Sequence, residues 1–186
     1  MSARPQAVAA MLIEATALKA LPRAGWVRQS VPAPESVAAH SHGVALLAAV
    51  LCPPHLDRLT LIEIALAHDL PEVRAGDITP HDGIARAEKL RREAEAADVM
   101  LAATPHLLDR WRAYAEGTSA EARFAHELDK LDMGLQAIAY RRAHPETDVA
   151  ELLASADRGI CEPALREIWE AALQLNPEAS AAGGPR

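Results

Sequence analysis

The residues that could do chemistry are two histidines and a set of carboxylates that fall beside apolar helical stripes. His40 shares a face with Val37, Val44, Leu47 and Leu51. His68 and Asp69 continue the rows of Leu61 and Ala65 and of Ile62 and Leu66, and Asp129 and Asp132 flank a stripe of Phe124, Leu128, Leu131, Leu135 and Ile138. An ionised carboxylate pushed toward an apolar core is costly unless it is paired or bound to a metal. Two neutral imidazoles and two carboxylates balance one divalent cation, and nitrogen plus oxygen ligands without a thiolate suit Mn, Fe, Co, Ni or Zn. Glu72 and Asp77 follow closely. Hydrolysis of a phosphate ester needs a Lewis acid, an activated water and a proton for the leaving oxygen, and a metal with two acids beside it supplies all three. Arg23 is a candidate phosphate clamp, because a guanidinium grips phosphate through two parallel hydrogen bonds.

Plainer roles compete for each of these residues. Either histidine alone is explained by a hydrogen-bonded place in the core, and Asp69 by capping near a helix end. Asp129 and Asp132 could be solvated flanks, Glu72 a helix-start residue and Asp77 a turn residue. Trp26 is expected to pack, and Lys89 to sit on a solvated helix face.

The elements that must position these groups read as helices separated by Pro and Gly breaks. Periodicity predicts helices over residues 6–21, 35–51, 59–70, 88–103 and 105–116. A long one runs from the cap Thr118-Ser119-Ala120-Glu121 to about Arg142, followed by 148–156 and 163–175. Residues 73–83 carry turn chemistry and form the longest expected irregular piece, which in a compact domain is usually functional or disordered. No segment shows convincing two-residue alternation. The expectation is an all-α single domain over residues 1–176, with a flexible tail at 177–186.

Composition agrees and excludes other classes. A chain of 186 residues fits one domain. With 50% hydrophobic but only 3% aromatic residues, the core must be built from aliphatics and alanine, which favours close helix packing over a β-sandwich. The net charge of −7 argues against a nucleic-acid polymer or an anionic membrane as partner. No apolar run approaches the roughly 20 residues of a membrane span. Cys52 and Cys161 lie far apart without a CxxC, as expected of thiols in a reducing cytoplasm.

Four ordered motifs carry a closer likeness. Pro34-Glu35-Ser36-Val37-Ala38-Ala39-His40-Ser41, Ala67-His68-Asp69-Leu70-Pro71-Glu72, Gly76-Asp77-Ile78-Thr79-Pro80 and Glu127-Leu128-Asp129-Lys130-Leu131 resemble the HD-domain metal-dependent phosphohydrolases, specifically their 5'-deoxynucleotidase branch. The lead-in Leu21-Pro22-Arg23-Ala24-Gly25-Trp26-Val27 and the stretch from Leu135 to Tyr140 match that branch too, so the likeness covers residues 18–142. It implies a helical bundle, and a metal site of His40, His68, Asp69 and Asp129, preferring Asp129 over Asp132. It implies Glu72 and Asp77 as the acid/base pair, Arg23 as a phosphate contact, one divalent ion (Mn, Co or similar) per chain, and a homodimer. The likeness departs at Ala39, where that family usually carries an acid, so a hydrogen-bond partner for the His40 ring is either missing or supplied elsewhere, for example by His42 or Ser41. The activity it implies is hydrolysis of deoxyribonucleoside 5'-monophosphates. Alternatives are hydrolysis of another small phosphate ester or nucleotide, a di-iron oxygenase drawing on His81, His106 or His126, and a metal-binding module without catalysis.

Overall fold

A computed structural model describes residues 3–175, so the expected tail at 177–186 lies outside the described residues. The chain is built from α1 (Ala3–Ala15), a 3-10 turn (Thr16–Lys19), α2 (Ala24–Arg28), α3 (Val37–Leu51), α4 (Arg58–Ala67), α5 (Glu72–Ala75) and a 3-10 turn at Pro80–Asp82. It continues through α6 (Arg86–Met100), α7 (Pro105–Glu116), α8 (Ala120–Ala143), α9 (Ala150–Gly159) and α10 (Pro163–Gln174). Among the described residues the only extended pairing is an isolated antiparallel bridge between Pro22 and Ser36. The all-α expectation holds.

Side-chain caps set the starts of the helices that matter most. The Ser36 hydroxyl accepts the Ala39 N–H for α3, Asp57 accepts that of Thr60 for α4, and Ser119 accepts that of Ala122 for α8. Each such cap is worth about 1 kcal/mol. Helices α3, α4 and α8 pack on one another around Val44, Ala48, Leu61, Ile64, Leu128 and Leu131, all essentially without solvent exposure. Trp169 of α10 and Ala156 of α9 close the same core from the other side of α8. A smaller cluster of Met11, Met100, Leu101 and Trp111 joins α1, α6 and α7.

Three departures from periodicity have physical causes. The first helix gives way at Thr16, whose hydroxyl bonds the Ile13 carbonyl at 2.6 Å and competes with the helical ladder. Helix α4 stops at Ala67, short of residue 70, because Pro71 has no N–H for the Ala67 carbonyl and its ring crowds that group, which is bonded instead by the Leu70 N–H. Residues 73–83 are less irregular than expected: α5 occupies the start and the 3-10 turn the end. Gly76 joins them at φ 78° and ψ 159°, a backbone open only to glycine, and so turns the chain between Glu72 and Asp77.

Candidate metal and active site

Four donors from three elements converge at the point where α3, the end of α4 and α8 meet. His40 comes from α3, His68 and Asp69 from the turn after α4, and Asp129 from the middle of α8. His40 Nε2 lies 3.1 Å from Asp129 Oδ1, 3.7 Å from Asp69 Oδ2 and 3.4 Å from His68 Nε2, and His68 Nε2 lies 3.2 Å from Asp69 Oδ2. Donors about 2.0–2.2 Å from one ion sit roughly 3 Å from one another, so the spacings among His40, His68 and Asp69 are nearly those of an ion's coordination edges, while Asp129 approaches this trio through His40. Both imidazoles are almost fully buried.

The protons on those rings test whether an ion fits. His68 Nδ1 lies 2.7 Å from the Ala65 carbonyl, which can only accept, so Nδ1 carries the hydrogen and Nε2 a lone pair. His40 Nδ1 lies 2.8 Å from Asp132 Oδ2, which likewise leaves its Nε2 free. Two lone pairs then face each other at 3.4 Å with two carboxylates alongside, and a positive charge is required among them. Burial and the Arg23 charge oppose a proton on His40, yet its hydrogen bonds to Asp129 and Asp132 push it up to about 9. The same spot therefore favours a positive charge, which a divalent ion would supply to His40, His68 and Asp69 with Asp129 beside them. The donor set fits the ion.

Asp132 corrects the expected partner of His40. Ser41 spends its hydroxyl on the Val37 carbonyl and His42 is exposed, so neither orients the ring. Helix α8 crosses α3 so that Asp129 and Asp132, one turn apart, both face His40, one on each ring nitrogen. The carboxylate fits because residue 43 is glycine: a Cβ there would lie 2.1 Å from Asp132 Oδ1. Gly43→Ala is therefore expected to push Asp132 off His40 and weaken metal binding by about 10- to 100-fold, as loss of a ligand's hydrogen-bond partner does. Titration of chelator-stripped protein with Mn²⁺ checks this, and an unchanged affinity would refute the role given to Asp132.

The acids and the arginine close the other side of a cavity of about 360 Å³ lined by Arg23, His68, Asp69, Glu72, Asp77 and Asp129 among others. Arg23 reaches Asp69 at 3.3 Å, Asp77 at 3.8 Å and Asp129 at 4.0 Å. Burial opposes its charge, and the three carboxylates more than restore it. Burial also works against ionised Asp69, but His68, Arg23 and His40 hold it well below the usual carboxylate range. Asp77 Oδ2 accepts the Ala24 N–H at 2.8 Å, so the short helix α2, invisible to periodicity, fixes Asp77 and Arg23 together. Glu72 is 3% exposed and its Oε2 has no partner; burial, then Asp69 and Asp77, push it up to about 10.

Other expected roles sort out plainly. Trp26 packs, with its N–H donated to Glu35 and its ring edge-on to Tyr140. Lys89 does not sit on a solvated face: α6 packs over α5, and Lys89 Nζ donates to the Ile78 carbonyl at 2.8 Å inside the cavity wall. His81 pairs with Glu151, His126 bonds the Tyr114 carbonyl, and His106 is exposed, so none joins the four donors. Tyr114, which no motif or spacing marks, stands on the cavity wall; burial, with Asp129 and Asp69 nearby, keeps its hydroxyl well above its ordinary range.

Comparison with known proteins agrees with this geometry. Over 128 residues the chain is 41% identical to the 5'-deoxynucleotidase HDDC2 of Bos taurus and 40% to that of Homo sapiens, an overlap of 66% of this chain and 62% and 63% of theirs. The chain thus spans somewhat less than two thirds of the length of these curated relatives. A solved protein of Pyrococcus horikoshii OT3 is 30% identical with a TM-score of 0.74, covering 91% of this chain and 97% of that one. The HD domain model matches residues 15–169, a span that holds every donor described above. The chain belongs to the HD-domain family, whose phosphohydrolases depend on a divalent metal.

Proposed function

We propose that this chain is a phosphomonoesterase that hydrolyses deoxyribonucleoside 5'-monophosphates to deoxynucleoside and inorganic phosphate. One observation carries the reading: His68, Asp69 and Asp129 line one cavity with Arg23, Glu72 and Asp77, and His40 lies buried directly behind them, 3.1 Å from Asp129 and 3.7 Å from Asp69. Those four residues would hold one divalent ion per chain, Mn, Co or similar. When bound, the ion supplies Lewis-acid polarisation of the phosphoryl group and lowers the pKa of water.

The chain's own residues do the rest. Arg23 presents its guanidinium over the same carboxylates and grips the phosphate oxygens. Asp77, held by the Ala24 N–H, accepts a proton from the attacking water. Glu72, kept protonated by burial and its acidic neighbours, gives its proton to the departing 5'-oxygen. The phosphorus–5'-oxygen bond breaks as the bond from phosphorus to the water oxygen forms, and the two carboxyls end with their protonation exchanged. The name the relatives share, 5'-deoxynucleotidase, supports the substrate class. A cytoplasmic homodimer belongs to the same proposal and rests on the family likeness; equilibrium sedimentation tests the dimer.

The deciding experiment is phosphate release from deoxy-AMP and AMP by chelator-stripped protein, with and without added Mn²⁺ or Co²⁺. Release from deoxy-AMP that needs the ion, with AMP turned over more slowly, is the expected result. No release from either nucleotide by protein shown to hold metal would overturn the proposal.

A further inference from the structure

On the wall of the same cavity, beside the donor His68, Tyr114 in the last turn of α7 is clamped between two imidazoles. Its ring is tilted against His68 with centroids 5.1 Å apart and stacked on His126 at 4.0 Å. His126 is itself fixed, because its Nε2–H donates to the carbonyl of Tyr114 at 2.8 Å. The clamp locks the plane of the phenol and leaves its far end, the hydroxyl, without a hydrogen-bond partner among the described residues. Tyrosine lines the cavity here together with His68, Asp69, Glu72 and Asp129. Tyr114 is half-buried, so its hydroxyl is open to a molecule that enters the cavity. A phenol held rigid by its ring and unpaired at its oxygen is a donor aligned in advance for something that enters.

The chemistry of the surrounding groups says what that something must offer. Ionised carboxylates can only accept, His68 has committed Nδ1–H to the Ala65 carbonyl, and His126 its Nε2–H to the Tyr114 carbonyl. A hydroxyl donor among acceptors finds no use for a further donor; it suits an oxygen-rich anion. We propose that Tyr114 donates its hydroxyl hydrogen to an oxygen of the bound phosphate group, and so is a substrate-contacting residue of the cavity wall. This rests on the phosphomonoesterase reading above for its substrate, but not for its test.

Tyr114→Phe keeps the ring and both imidazole contacts and removes only the hydroxyl. Four quantities are compared with the unsubstituted protein: metal content, affinity of the metal-loaded protein for inorganic phosphate by calorimetry, and kcat and KM for deoxy-AMP. Unchanged metal content, phosphate affinity weakened by about 10- to 100-fold and kcat/KM reduced by a similar factor are expected, the range for a hydrogen bond to a charged acceptor. A merely structural ring would leave phosphate affinity where it was. Equal phosphate affinity in the two proteins, or no phosphate binding by either, overturns the proposal whether or not the protein turns over nucleotides. Weakened phosphate binding without turnover of any nucleotide would sink the phosphomonoesterase reading and leave the Tyr114 contact standing.

Discussion

Asp69→Ala is expected to abolish metal retention and phosphate release together while leaving the helical fold intact. Asp69 Oδ2 is the hub of the site: it lies 3.2 Å from His68 Nε2, 3.7 Å from His40 Nε2 and 3.3 Å from Arg23. Its removal takes one of four donors and one of two ligand charges, and it frees the guanidinium that should meet the phosphate. The cost to metal affinity should exceed the roughly 10- to 100-fold that follows loss of a hydrogen-bond partner behind a ligand. The fold should survive, because the core under the site consists of Leu61, Ile64, Leu128 and Leu131, none of which depends on Asp69. Metal content after gel filtration, read beside phosphate release, checks both halves. An Asp69→Ala protein with full activity would end the metal-site assignment.

Glu72→Gln should separate the two halves that Asp69→Ala loses together. Glutamine keeps the shape and the burial but cannot give up a proton to the leaving oxygen. Metal content should stay, and kcat should fall by about 10²- to 10⁴-fold, the usual worth of a positioned acid. A second readout follows from linkage. Glu72 is raised from 4.5 to about 10 in the folded chain, so over that interval the native state holds a proton that the unfolded chain releases. Where the native state binds more protons, stability falls as pH rises. The chelated protein should therefore lose stability with rising pH through that interval, and Glu72→Gln should flatten the slope. Denaturant midpoints on either side of neutrality measure it. A variant with an unchanged slope and unchanged kcat would remove Glu72 from the chemistry.

Whatever depends on periodicity within one helix is legible in the sequence. His40 falls on the Val37–Val44–Leu51 row, so the spacing alone aims it at a core, whereas Asp129 and Asp132 read alike as flanks and only the family likeness prefers Asp129. What stays hidden depends on how helices cross. Asp132 reads as a solvated flank until α8 is laid across α3, because its partner lies ninety-two positions away along the chain. Lys89 is misread for the same reason, its face being covered only once α6 meets α5. The short helices α2 and α5 carry too few residues to show a period at all. Tyr114 offers no signal, since a tyrosine amid Trp111 and Ala115 looks like ordinary core.

The backbone bridge between Pro22 and Ser36 bears on how the site is held together. Two bonds flank it, Arg23 N–H to the Glu35 carbonyl at 3.0 Å and Val37 N–H to the Leu21 carbonyl at 2.8 Å, and they tie the arginine to the start of the helix that carries His40. That loop is short, so the entropy of closing it is small, whereas bringing Asp129 to His40 closes a far longer stretch of chain. The N-terminal half holds its share of the site through contacts near in sequence, whereas the carboxylates of α8 reach it from far along the chain. A divalent ion held between them would tie α8 to that half, so it would act as a clasp against separation of the two. Loading the site should then slow the escape of α8, which makes the metal a determinant of how long the folded chain endures as well as of what it does.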